Sequence, residues 1–221
     1  MKAIVFDTET TGIDEPEIIE AAYLVLSEDI KDNTIIERFC QRYKPSKMIE
    51  LGALAVHHIL DSELDKCPAT REFKLPFDEA YVIGHNVDYD MQHWESPAYK
   101  KICTLALSRR LWPELTSHNQ SAMLYHSAGR RPSTRDLLRD AHSALADVIN
   151  CKFVLDAIIA KTNPDSWEQL WRWSEKARIP THMTFGKHKG MKIEELPASY
   201  VQWFLKQENI DKYLEIALRS I

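Results

Sequence analysis

Lys2-Ala3-Ile4-Val5-Phe6-Asp7-Thr8-Glu9-Thr10-Thr11-Gly12 is apolar and partly β-branched at first, then turns acidic, hydroxylic and glycine-bearing. The apolar part is short and predicts a strand over Lys2 to Glu9 that ends at Thr10-Thr11-Gly12. Side chains alternate faces along a strand, so Asp7 and Glu9 point the same way and can share a cation. Hard carboxylate oxygens at this spacing suit Mg²⁺ or Mn²⁺ better than zinc. Two exposed acids on a strand end would be the plainer reading of such a pair. That reading explains poorly why Asp7 follows Ala3-Ile4-Val5-Phe6 and precedes two hydroxyls and a glycine. Gly12 lets the backbone approach a ligand closely.

Outward from this stretch, Glu17 to Ser27 and Thr34 to Tyr43 are further apolar runs separated by the polar Ser27–Asn33. Together with the first strand they predict an antiparallel meander. Glu50 to Ile59 reads as a helix. Tyr81 to Gly84 reads as a short strand feeding a helix from about Asp88 to Trp94, closed by Pro97. A strand over Lys101 to Leu105 is followed by a helix to Leu111, stopped by Pro113, and by another helix over Asn119 to His126. Leu145, Val148, Ile149, Phe153, Val154, Ala157 and Ile158 recur at helical spacing, which predicts the longest helix over Ser143 to Ile159. Trp167 to Lys176 is one more. Strands and helices in this order predict an α/β domain with a mixed sheet over 1–165, then a helical linker over 166–179. The texture changes near Pro180. Thr184 to Lys192 reads as a glycine-punctuated hairpin or loop, and helices around Tyr200–Lys206 and Tyr213–Ile221 complete a small module over 180–221.

Two further stretches carry chemistry. Gly84-His85-Asn86-Val87-Asp88-Tyr89-Asp90 holds two acids that compete for one role, and Ala141-His142-Ser143-Ala144-Leu145-Ala146-Asp147 pairs an imidazole with a carboxylate. Residues five apart on a regular helix sit about 140° apart around its axis, so His142 and Asp147 would not converge inside one. Ser143 is a good N-cap, however. With the helix starting there, His142 sits on a loop and can turn toward Asp147. Four carboxylates and an imidazole are what a two-metal phosphodiester hydrolase needs, the carboxylates to hold cations and the imidazole to take a proton from water.

Composition neither announces nor excludes a nucleic-acid partner. The 221 residues carry a formal charge of −5, and 44% are hydrophobic, as in an ordinary soluble globular protein. Local charge matters more. Arg130, Arg131, Arg135 and Arg139 cluster before the third motif, and Lys176, Arg178, Lys187, Lys189 and Lys192 cluster near the end. Each cluster reads either as a solvated surface or as phosphate contact. No apolar run approaches the ~20 residues of a membrane span, and the first residues reach a carboxylate too soon for a signal peptide. Cys40, Cys67, Cys103 and Cys151 are scattered, as free thiols in a reducing cytoplasm would be.

The three stretches together resemble the DEDDh branch of the DnaQ-like exonuclease superfamily: Asp-x-Glu-Thr-Thr-Gly, then His-Asn-x-x-aromatic-Asp, then His-x-Ala-x-x-Asp. The resemblance selects Asp90 over Asp88, with Tyr89 in the usual Phe place. It implies a ribonuclease H-like mixed sheet flanked by helices, plus a small C-terminal α+β module. It also implies that Asp7, Glu9, Asp90 and Asp147 bind two Mg²⁺ ions, for which Mn²⁺ can substitute, and that His142 is the general base. Thr10, Thr11, Gly12, Ile13, His57 and Asn86 would meet the substrate, with Ile13 against the terminal base and His57 beside the nucleotide pocket. Segments Ala53–Ile59, Ile102–Pro113 and Thr184–Leu205 resemble one bacterial member type of the branch. The flank Asp14-Glu15-Pro16-Glu17 departs from a phosphate-friendly surface.

The activity so implied is 3′→5′ hydrolysis of single-stranded or duplex DNA ends to nucleoside 5′-monophosphates, in repair or end trimming. RNA trimming is a second reading, because the same five residues serve exoribonucleases. A proofreading subunit is a third, and a non-catalytic nucleic-acid-binding protein a fourth. The basic tail reads either as a packing appendage, as a DNA clamp through Lys187, His188, Lys189 and Lys192, or as a homodimer contact.

Overall fold

The computed structural model describes every residue except 93–95, 140, 141, 184 and 209. The expected helix end at Trp94, Ala141 of the third motif and Thr184 of the glycine-punctuated loop lie outside the described residues.

Five strands form one mixed sheet in the order β3-β2-β1-β4-β5. They are β1 (Lys2–Thr10), β2 (Ile18–Leu26), β3 (Ile35–Arg42), β4 (Ala80–Gly84) and β5 (Tyr99–Cys103). The first three make the expected antiparallel meander, and β4 and β5 extend it in parallel. All nine residues of β2 are buried, as suits a strand covered on both faces. Strand β3 is one of the two edges, and its exposed Glu37 and Arg38 keep that edge from pairing further.

The helices are α1 (Leu51–His57), α2 (Val87–Asp90), α3 (Thr104–Leu111), α4 (Gln120–Ala128), α5 (Pro132–Leu137), α6 (Ala144–Thr162), α7 (Trp167–Arg178), α8 (Ala198–Phe204) and α9 (Lys212–Arg219). None of the described helices is long and apolar enough to cross a membrane. One face of the sheet closes over Ile4, Phe6, Tyr23, Val25, Tyr43, Phe73, Val82 and Met91. Helix α6 packs on β1 and β2, and its N-terminus reaches residues of the opposite face, that of Val5, Asp7 and Glu9.

Three local readings need correction. The helix expected over Asp88–Trp94 is one turn long and stops at Asp90, because Met91 leaves helical dihedrals (φ −94°, ψ 11°) and is buried. Strand β5 begins and ends two residues earlier than expected, and Thr104 already belongs to α3. Helix α5 was not foreseen; Pro132 occupies its first turn, where a missing N–H costs nothing.

The chain divides inside α7 into two compact units, Met1–Ser174 and Glu175–Ile221. The second has its own small core of Met183, Ile193, Leu196, Val201, Leu214, Ala217 and Leu218. Its α9 is capped by Asp211, whose Oδ1 accepts from the Tyr213 and Leu214 N–H groups at 3.0 and 2.9 Å. Residues 182 and 192 meet in an isolated antiparallel bridge.

Candidate active site

The parallel pairing of β1 with β4 ends at Val5 and Ile83. Beyond that point β1 continues to Thr10 beside β2 alone, and α2 comes to its free side. Thr8 donates to Asp90 Oδ1 both from its backbone N–H (3.0 Å) and from its hydroxyl (2.9 Å). The end of the second motif is thus fastened to the middle of the first. Asp90 is almost fully buried, as a carboxylate can be only with donors of this kind.

The third motif arrives on α6. Ser143 is its N-cap and accepts from the Ala146 N–H. His142 lies outside the helix in the left-handed region (φ 69°) and is exposed, as the N-cap argument predicts. Its backbone N–H donates to Asp147 Oδ2 at 3.0 Å. Gln120, at the start of α4, donates from Nε2 to Asp147 Oδ1 and to the Asp147 carbonyl, both at 2.9 Å. Asp147 is thereby held from two sides. One carboxylate oxygen from each of Asp7, Glu9 and Asp147 lies within 4.8 Å of the others.

Electrostatics follow from that crowding. Burial first, then the charges of Asp90, Asp147, Glu9 and Glu20, hold the Asp7 carboxyl well above the usual carboxylate range. Burial and the charges of Asp147, Glu20 and Asp90 push Glu9 up to about 8. Asp90 is pushed up to about 7, chiefly by burial and against the Thr8 hydrogen bonds. Burial also raises Asp147, opposed by the His142 N–H, the His142 charge, Asn150 and Gln120. Like charges this close are relieved by protons or by cations. An oxygen-only donor set under such repulsion fits hard divalent ions.

Glu20 is the functional-site residue that sequence reasoning missed. It sits directly across from Glu9 on β2, and Arg42 sits directly across from Glu20 on β3. Glu20 Oε1 accepts from Arg42 Nε at 3.0 Å, and Oε2 accepts from the Ala144 N–H at 2.8 Å. Its carboxylate therefore joins β2 and β3 to the first residue of α6. Only the pairing register, absent from any single motif, would have exposed it. Gln120 carried no sequence signal at all.

The residues expected at the substrate fall into two groups. Ile13 is 78% exposed and Asn86 is exposed, in the left-handed region (φ 81°) and without a side-chain bond to cap α2. The others shape the turn. Tyr89 Oη donates to the Gly12 carbonyl at 3.2 Å and meets Thr10 Oγ1 at 3.1 Å. Thr11 is fully buried; its hydroxyl accepts from the Glu17 N–H and its carbonyl from the Glu50 N–H. A Cβ on Gly12 would collide with the Glu50 carboxylate, so within this structure the glycine makes room for a side chain of the protein. His57 is buried, and its Nδ1 accepts from the Ile59 N–H at 2.9 Å. Burial lowers its pKa, opposed by the Thr10 backbone and the Glu20 charge.

Comparison with known proteins agrees with this geometry. Residues 4–155 match the family model described as Exonuclease, and residues 176–212 match one described as a candidate quorum-sensing-regulated virulence factor. Exodeoxyribonuclease 10 of Escherichia coli (strain K12) is 26% identical over 223 residues, covering 97% of this chain and 96% of that protein. Among solved structures, exonuclease X in complex with 5′ overhanging duplex DNA superposes with a TM-score of 0.60 at 23% identity, over 78% of this chain and 99% of that one. The nuclease domain of 3′hExo, a DEDDh family member bound to rAMP, superposes with a TM-score of 0.52 at 14% identity, over 73% and 92%. These likenesses show the ribonuclease H-like exonuclease fold.

Proposed function

The chain belongs to the exonuclease family, and on that premise we propose that it removes nucleotides singly from the 3′ ends of DNA by metal-dependent hydrolysis. The observation that carries the reading is the convergence of Asp7, Glu9 and Asp147, from two distant segments, within 4.8 Å of one another. Asp90 stands beside them through Thr8. DNA as substrate is supported by the end-to-end likeness to a bacterial exodeoxyribonuclease.

Asp7, Glu9 and Asp147 would hold one divalent cation, and Asp7 with Asp90 would hold a second, Mg²⁺ or Mn²⁺. Bound there, such ions supply positive charge to the scissile phosphate and to the developing charge on its leaving oxygen. His142, exposed at the mouth of the cluster, takes the proton of the attacking water. The water oxygen bonds to phosphorus as the P–O3′ bond breaks. The terminal residue leaves as a nucleoside 5′-monophosphate, and the shortened strand keeps a 3′-hydroxyl. Ile13 packs against the terminal base, and Asn86 supplies a donor to the nucleotide, with the buried His57 shaping the pocket behind them.

The test is a gel time course on 5′-labelled single-stranded DNA, blunt and overhanging duplexes and RNA. Shortening from the 3′ end with Mg²⁺, abolished by EDTA and faster on DNA than on RNA, is the expected result. Equal or faster trimming of RNA would transfer the reading to an exoribonuclease.

A further inference from the structure

The unit Glu175–Ile221 carries a surface that hydrolysis does not use. Met183 and residues 185–191 are tied together by backbone bonds: Met183 N–H bonds the Met191 carbonyl (2.9 Å), Gly190 N–H bonds the Met183 carbonyl (2.8 Å), and Met191 N–H bonds the His188 carbonyl (3.0 Å). Gly186 and Gly190 make the two left-handed turns this needs (φ 72° and 86°). This arrangement sets Phe185 and His188 against α8. Tyr200, Trp203 and Phe204 share one face of that helix at spacings of three and four.

The five rings form one contiguous patch. His188 meets Tyr200 edge-on at 4.4 Å between centroids, Tyr200 lies 5.6 Å from Trp203, and Phe185 lies 5.9 Å from Phe204. Tyr200 and Phe204 root the patch in the core of the unit. Trp203 and Phe185 stand out of it, 54% and 49% exposed. Large aromatic rings left bare together mark an interaction surface. Charge says which kind. Lys187 and Lys189 are exposed on the same loop, and among the described residues neither meets a carboxylate within salt-bridge distance. Lys192 differs, lying 3.5 Å from Glu194 and 3.9 Å from Glu195, so it is already matched.

Exposed aromatic rings beside unmatched cations complement a ligand with flat faces and a polyanionic backbone, which is single-stranded nucleic acid. We propose that Phe185, Tyr200 and Trp203, with Lys187 and Lys189, form a stacking site for single-stranded DNA or RNA on the C-terminal unit. The rings take the faces of successive bases and the lysines take phosphates. Stacking reads no base edges, so the site is tolerant of sequence. It belongs to a different unit from the carboxylate cluster and does not rest on the hydrolytic reading.

The experiment uses the full chain in EDTA, so that binding is read without cleavage. Fluorescence anisotropy of labelled twelve-residue oligothymidylate and of a blunt duplex is followed across a salt series, for the parent, Phe185→Ala/Trp203→Ala and Lys187→Gln/Lys189→Gln. All four side chains are exposed, and melting curves confirm that each variant is folded. The aromatic variant should bind the oligonucleotide about 5- to 100-fold more weakly with an unchanged salt slope. The lysine variant should lose about 0.7 of slope per lysine. Unchanged affinity and slope in both variants would overturn the proposal. So would equal losses on the blunt duplex, or a self-association of the parent that the aromatic variant abolishes while oligonucleotide affinity stays the same.

Discussion

His142 donates its backbone N–H to Asp147 while its imidazole stands in solvent, so the two halves of the residue can be separated by mutation. His142→Ala keeps the backbone bond. It should slow hydrolysis about 10²–10⁴-fold and leave Mg²⁺ affinity by calorimetry unchanged; lost affinity would reassign the imidazole as a ligand. Asp7→Ala removes the carboxylate proposed for both ions and should abolish Mg²⁺-dependent nucleotide release. Tyr89→Phe keeps the ring but loses the bonds to Thr10 and Gly12. About 1 kcal/mol of stability should go with them, read as a melting point lower by roughly 2–4 °C. An unshifted melting point would show the turn to stand without that hydroxyl. At this scale much was legible. Alternation along β1 aligned Asp7 with Glu9, and Ser143 as N-cap placed His142 outside α6. The nearness of Glu50 to Gly12 was not legible, because a sequence shows that a backbone can be approached but not which side chain of the protein lies beside it.

Helix α6 owes its position at the sheet to a carboxylate as well as to packing. Glu20 accepts from Ala144 and from Arg42. Glu20→Ala leaves the buried Ala144 N–H without its acceptor, at a cost of about 1–3 kcal/mol, and loosens the helix that carries Asp147. Nucleotide release should fall together with the melting point. Glu20→Gln retains an acceptor for Ala144 and should recover most of both. If the alanine variant lost stability yet kept full activity, Glu20 would be a structural residue only. The meander, α6 and the β4–β5 pair were readable because apolar periodicity runs through each of them. Helix α5 was not, since six residues with arginines around them show no apolar stripe. Glu20 was invisible for a different reason: three strands must be in register before Glu9, Glu20 and Arg42 line up.

Across the whole molecule the raised carboxyls tie stability to pH. The metal-free folded chain keeps protons on Glu9 up to about 8 and on Asp90 up to about 7, where the unfolded chain, with ordinary values near 4.5 and 3.8, has released them. Folding therefore binds protons across that window, and the carboxylates' contribution is lost as pH rises through it. The half-buried His85 imidazole, lowered to about 4 from 6.5, acts oppositely below 6.5. Between about pH 6.5 and 8 the melting point in EDTA should fall, and added Mg²⁺ should raise it most at the upper end. A flat profile in EDTA over that range would refute the coupling. The long span from β1 to α6 has a further consequence during synthesis. At roughly 5–20 residues per second, on the order of 10–30 s separates the emergence of Asp7 from that of Asp147. Until then the ribosome carries a chain that lacks Asp147, and the proposed metal cluster is complete only when α6 docks.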